Sequence, residues 1–594
     1  MASAKHTSQI PSHQLVGYHG VGSIYELRTH WKEKQATLHS VMVAGLDYWN
    51  TDALQELHDP VLESILGVRK FYMPSLPDDE KYSKSAIPVV RFPRWLVCNR
   101  CHRLGKVPQE FNDIGFSGPV CNAAGCKGHG VPVRLVVACR AGHIDDFPWA
   151  YWAHGGKDSC NNPALRLTVQ PGTTSLGGLM VSCLNPDCTD YKKEYSLGRA
   201  LHQRFLCTGN RPWLNDREGC TEKGHALFRH SSTIYFPDVV SAVSIPPYSQ
   251  ELYQRLQKVA ARDISRIQSA HKRGRDIDWE EILDSLRDDI RWLANYTDDQ
   301  IIHALQSLAF INENRLEDHM ANERLALLNG YPEIDRSVFV ATPVPSEALT
   351  PNMARLFQSL VGVDRLRVVQ VLNGFSRITH YGVRAALSKN DFDWKPAVEL
   401  HGEGIYLEFN RDSLLKWAAQ SNVRARVKPL ADLAGDHQQE KAHPVSIFLH
   451  TLAHLLIKQL SLDSGYGMGA LRERLYVNPR EDTWMAGILI YVAATTATGT
   501  LGGLVRQANP ARLEELLYSI YEEAQWCSSD PLCLETDKPV DDVLNLAACH
   551  ACCLISETSC DWRNQFLDRA LVVGLPGEES LGFLSGMLGE QTIK

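Results

Sequence analysis

The spacing of apolar residues changes character along the chain, and each change predicts a different kind of element. Between 246 and 335 the segments ELYQRLQKVAARDISRIQSAHKR and WEEILDSLRDDIRWLANY repeat apolar residues three and four apart, which predicts amphipathic helices and a helical insertion. Upstream, residues 91–245 show little helical periodicity and are rich in Cys and Gly, so short strands and loops are expected there. Residues 1–90 mix short apolar runs with turn residues, GVGSIYEL among them, where Gly20 and Gly22 read as a tight turn. Within 336–440, RLRVVQVL and GIYLEF read as strands. In 441–594 the helical run VSIFLHTLAHLLIKQL is followed by a Gly-rich loop, the apolar strand GILIYVAA, a second Gly-rich loop and a helix opening near Pro510. That order predicts a multidomain α/β protein divided at these boundaries, with no internal repeat of fixed period.

Composition narrows the class. The 594 residues carry 61 Lys plus Arg against 69 Asp plus Glu, and 44% are hydrophobic, which excludes disorder for most of the chain and a uniformly basic surface. Any contact with DNA must be local. The start, MASAKHTSQIPSHQ, lacks the apolar core of a secretory signal, so a cytoplasmic location is expected. Residues 487–505 are uncharged but diluted by Thr and Gly, and read as a buried strand plus loop rather than a membrane span.

Sixteen Cys without an export signal, many in short paired spacings, point to metal rather than disulfides. Cys98-Asn-Arg-Cys101 and Cys121-Asn-Ala-Ala-Gly-Cys126 are two knuckles that can fold over one another into a closed tetrahedral zinc site of the ribbon type. Cys183 and Cys188, with Cys207 and Cys220, form a second candidate, leaving Cys139 and Cys160 as small buried side chains. A third gathers Cys533, Cys549, Cys552 and Cys560; Cys527 could replace Cys533, and Cys553 should be packed rather than ligating.

Other chemistry is thinner. His143, Asp145 and Asp146 could form an open metal site or an acid/base pair, although a structural network is the commoner use of such a group. His450 and His454 share a helix face, but His-Thr-Leu-Ala-His lacks the Glu that a zincin needs as general base, so a helix interface is expected. No G-x-x-x-x-G-K-[ST] loop and no G-x-S-x-G elbow occurs, so no catalytic residues are assigned. Arg255, Lys258, Arg262 and Arg266 recur on one predicted helix, while Arg424, Arg426 and Lys428 alternate along a predicted strand; either stripe could follow a phosphate backbone.

The segments HTLAHLLIKQLSLDSGYGMGALRERLYV, GILIYVAATTATGTLGGLVR, WCSSDPLC and LNLAACHACCLISETSCDWRNQFLDRALV together resemble the four-cysteine domain that follows the motor domains of certain DNA-repair helicases. With RFPRWLVCNRC, CRAGHIDDFPW and GFSRI added, the whole chain resembles the DrmB family of the DISARM anti-phage system. The resemblance implies a zinc-containing, non-motor partner of the helicase-like DrmA subunit, engaging DNA with a single-stranded portion. It carries the family's zinc cysteines onto Cys533, Cys549, Cys552 and Cys560, and its amino-terminal knuckles onto Cys98, Cys101, Cys121 and Cys126. The competing expectation is a metal-dependent enzyme, such as a nuclease, built on His143, Asp145 and Asp146 or on His450 and His454.

Overall fold

The computed structural model describes residues 10–31, 35–74, 87–113, 118–157, 160–173, 175–245, 251–310, 316–330, 338–380, 382–492, 502–539 and 543–588. They form two compact units that interleave along the chain. The first comprises 1–57, 70–240 and 370–398, and the second 58–69, 241–369 and 399–594.

In the first unit the low-periodicity stretch forms short antiparallel strands, as its dense Gly, Pro and Cys punctuation requires. Strands β1 (Trp95–Cys98) and β2 (Arg103–Lys106) form a hairpin around the first cysteine knuckle, and β2 continues into a sheet through β5 (Leu165–Val169) and β6 (Leu179–Cys183). A separate sheet holds β3 (Leu135–Ala138) between β4 (Ile144–Asp146) and β7 (Lys223–Phe228). Leu135, Val137, Phe147, Trp149, Leu165 and Val181 pack into one small core between these strands. Such a core is thin for its share of chain, and metal clusters supplement it. Arg377, from GFSRI, is fully buried and donates to the carbonyls of Gly142 at 2.9 Å, Ile234 at 2.6 Å and Gly22 at 2.8 Å. Gly22 sits at φ 82°, a conformation glycine alone adopts freely.

In the second unit the amphipathic stretch is helical, but its first run breaks at Ala260 into α1 (Glu251–Val259) and α2 (Ala261–Lys272). The expected basic stripe therefore spans two helices. Leu252, Leu256, Ile267, Ile282 and Leu305 form the apolar interior of this helical layer. Helix α3 (Leu316–Asn329) follows, then residues 357–369 of the long strand β8 (Phe357–Ser376) and 399–409 of β9 (Trp394–Phe409), the rest of each strand belonging to the first unit. RARVK, expected as a strand, lies within the helix α4 (Ser421–Leu433). Its apolar residues Val423, Val427 and Leu430 fall at helical spacing on the buried side, which overrides the short basic alternation.

Helix α5 (Pro444–Asp463) opens with Pro at its first turn and is buried on nearly every face, from Val445 through Leu460. It is the one helix among the described residues long and apolar enough to cross a membrane, and here it is the core helix of the second unit. It packs on the hairpin of β10 (Leu471–Asn478) and β11 (Met485–Val492), with β11 fully buried as its unbroken apolar run predicts. Residues 493–501 of the expected loop lie outside the described residues.

Candidate metal centres

The first knuckle pair closes as expected. Cys98 and Cys126 sulfurs lie 3.6 Å apart and those of Cys101 and Cys121 3.7 Å apart. Four thiolates around one zinc at about 2.3 Å would stand about 3.8 Å from each other, whereas a disulfide needs about 2.05 Å. Backbone N–H groups of Arg100 and Gly128 donate to Cys98 and Cys126 at 3.5 and 3.4 Å. A Cβ at Gly128 would stand 2.4 Å from the Cys98 sulfur, so the turn must be glycine for the thiols to converge. The Gly128 N–H also pulls the Cys126 thiol down to about 7, while burial pushes Cys121 up to about 12. Like charges brought this close resist ionising together, and a divalent cation removes that resistance.

The second candidate divides into two sites. Cys207 and Cys220 meet Cys139 and His143, whereas Cys183 and Cys188 meet His154 and Cys160. Cys183 ends β6 and Cys207 follows the strand at Arg204–Leu206 in the other sheet, and each is carried to a different ligand set. The pairs are nested: the outermost two close one site and the inner two the other. In the outer site the Cys139 and Cys207 sulfurs are 3.5 Å apart, and His143 Nδ1 lies 3.4 Å from Cys139 and 3.6 Å from Cys207. His143 Nε2 meets Glu218 at 2.6 Å, the carboxylate support that orients a metal-bound imidazole. The Cys207 thiol, against burial, pulls Cys139 down to about 5. In the inner site His154 Nδ1 is held by the Ala150 carbonyl at 2.5 Å, and its buried Nε2 has no hydrogen-bond partner among the described residues. Cys139 and Cys160 are thus members of ligand sets rather than packing residues.

This geometry also accounts for the acidic pair beside His143. Asp145 accepts from Thr208 at 2.7 Å and Asn210 at 2.9 Å, and Asp146 accepts from the Arg94 backbone at 2.8 Å and its Nε at 3.1 Å. The carboxylates brace loops around a thiol cluster, and His143 faces sulfur.

At the carboxy-terminal end Cys527 and Cys533 both enter the cluster, with Cys549 and Cys552, and Cys560 does not. Sulfur separations are 3.9 Å for Cys527 to Cys549 and 3.7 Å for Cys552 to both Cys533 and Cys549. The Cys553 thiol, against burial, and the Cys549 N–H pull Cys552 down to about 5. Cys560 lies instead against α5, 3.1 Å from His450 Nε2. Cys553 is fully buried and packed, as its adjacency to Cys552 requires.

The basic residues scatter. Arg426 is bound through Nε and Nη2 to the buried Asp568 at 2.8 and 3.1 Å, Lys428 pairs with Asp432 at 2.7 Å, and Arg424 is exposed. On a helix, residues two apart do not share a face, so the alternation makes no stripe. Arg255 and Arg262 are exposed on α1 and α2, Arg266 pairs with Glu281 at 2.5 Å, and the Lys258 side chain lies outside the described residues.

Three closed sites on short strands, one of four cysteines and two of three cysteines and a histidine, with one more four-cysteine site beside a core helix, define a multidomain α/β protein stabilised by zinc. Residues 452–553 match the MrfA Zn-binding domain, MrfA being a DNA-repair helicase, and residues 11–236 match a domain of unknown function, DUF8724. The DISARM protein DrmB of Bacillus paralicheniformis is 31% identical over 589 residues, covering 92% of this chain and 99% of that protein. The chain belongs to the DrmB family of the DISARM anti-phage system.

Proposed function

We propose that this chain is the non-motor partner of the helicase-like DrmA ATPase, working in the cytoplasm to engage invading DNA and to stimulate or position the motor. The observation that carries the reading is the near full-length likeness to DISARM DrmB. The closed metal clusters support it: a saturated thiolate tetrahedron holds loops in shape and offers no open position for chemistry. The two carboxylates of the competing nuclease reading are occupied in bracing contacts, so no catalytic residue is assigned. The DNA contact is proposed on the helical layer, where Arg255 and Arg262 are exposed.

ATPase turnover of the DrmA subunit with and without this chain, on single-stranded and duplex DNA, tests the reading. Co-purification and a rise in turnover are expected, with R255E/R262E weakening DNA binding most at low salt. Failure to bind DrmA or to change its turnover would refute the partner role, and metal-dependent cleavage by the chain alone would restore the enzyme reading.

A further inference from the structure

A fifth convergence of ligating groups lies in the core of the second unit, apart from the four-cysteine cluster. His450 and His454 stand one turn apart on α5, Glu473 reaches them from β10, and Cys560 from the loop beyond. One ligand atom from each lies within 4.8 Å of the others. His450 and His454 are 0% exposed, Glu473 1% and Cys560 8%.

The orientation of the imidazoles is the informative part. His450 Nδ1 lies 3.4 Å from the Phe566 carbonyl and His454 Nδ1 2.9 Å from the Cys553 carbonyl. An Nδ1 facing a carbonyl carries the proton, so each Nε2 presents a lone pair to the centre. There His450 Nε2 meets Glu473 Oε1 at 3.2 Å and Cys560 at 3.1 Å, and His454 Nε2 meets the same oxygen at 3.5 Å. Two nitrogen ligands or a nitrogen and an oxygen at about 2.0–2.1 Å from a tetrahedral zinc stand about 3.3–3.4 Å apart. His454 Nε2 and Glu473 Oε2 have no hydrogen-bond partner among the described residues although fully buried. Two inward-facing acceptors against a buried carboxylate are costly unless a cation joins them. The Asn564 N–H donates to the Cys560 sulfur at 3.1 Å and the Asp561 N–H to Glu473 Oε1 at 3.0 Å, supporting the anionic forms of both.

We propose that His450, His454, Glu473 and Cys560 bind a divalent transition metal, zinc by ligand type, in a second carboxy-terminal centre separate from the four-cysteine site. Two neutral imidazoles, one carboxylate and one thiolate neutralise the ion within the core. All four positions come from protein, so the centre is structural and fastens the core helix to β10 and to the chain after Cys553. It accounts for two histidines one turn apart without the Glu that serves a zincin helix as general base: a closed centre has no bound water to activate, and its carboxylate ligand comes from the neighbouring strand.

The test is metal analysis of the purified full-length chain together with anomalous scattering at the zinc edge from its crystals. The expected map has a peak between these four side chains in addition to the peak at Cys527, Cys533, Cys549 and Cys552. E473Q should lose one metal equivalent while C549A/C552A loses a different one, so that the combined variant loses two. A map with a peak at the four-cysteine cluster and none at His450 would overturn the proposal, even if E473Q fails to fold. Equal metal content in wild type and a folded E473Q would also overturn it.

Discussion

The anchoring of α3 to β10 gives the sharpest energetic prediction. Glu323, fully buried, accepts from Arg474 Nε at 2.6 Å and Nη2 at 2.9 Å, from the Val243 N–H at 2.8 Å and from the Tyr476 hydroxyl at 2.8 Å. Burial pushes its carboxyl up, but Arg474 and then His319 outweigh this and hold it at about 2, below its ordinary 4.5. At about 1.4 kcal/mol per unit, that displacement corresponds to about 3 kcal/mol. Removing one partner of a buried pair typically costs about 3–5 kcal/mol because the other is left charged and unpaired. E323A should therefore destabilise the second unit by about 3–5 kcal/mol, read as a lowered Tm and as loss of amide protection in α3 and β10. Because the folded carboxyl is depressed, its contribution is fully present above the unfolded value near 4.5 and is lost as pH falls through about 2. E323L/R474M, which removes both charges, should recover most of the loss. A cost for E323A under about 1 kcal/mol, or a double variant less stable than the single, would show that the buried pair does not anchor α3 to β10.

C139A and C160A should each remove a different metal equivalent, and the double variant two, because their ligand sets are nested rather than shared; loss of a single equivalent by the double variant, measured by elemental analysis, would reverse the pairing. R377M should leave the Gly22, Gly142 and Ile234 carbonyls unsatisfied. A loss of about 2–4 kcal/mol is expected, seen as faster proteolysis of the first unit, and unchanged protease resistance would contradict it.

The features legible in the sequence are those set by local period or short spacing. Burial of β11 follows from its unbroken apolar run, the α1 and α2 helices from three- and four-residue repeats, and the first zinc site from two knuckles that close on each other across one short stretch of chain. RARVK failed because a five-residue alternation is shorter than the helical period that Val423, Val427 and Leu430 impose around it. The partition of the middle cysteines failed for a different reason. Spacing identifies half-sites, such as Cys139-x3-His143, His154-x5-Cys160 and Cys183-x4-Cys188, but which halves meet depends on strand order. Treating every Cys or His in a short pair as a half-site would have found Cys139, Cys160 and His154.

The same logic separates Cys560 from the cluster it was expected to join. Cys527 and Cys533 lie on one turn-rich segment and supply both upstream thiols, so Cys549 and Cys552 need no ligand from downstream. Cys560 is then carried to α5, where residues one helical turn apart can supply two nitrogens and a strand can supply an oxygen. A four-thiolate site assembles from neighbouring loops and holds them locally. A site drawn from a helix, a strand and a distant loop ties together elements that contact order would otherwise bring together slowly and hold by packing alone. The two carboxy-terminal centres thus act on different scales, one setting a surface loop and the other fixing the core on which that loop is mounted.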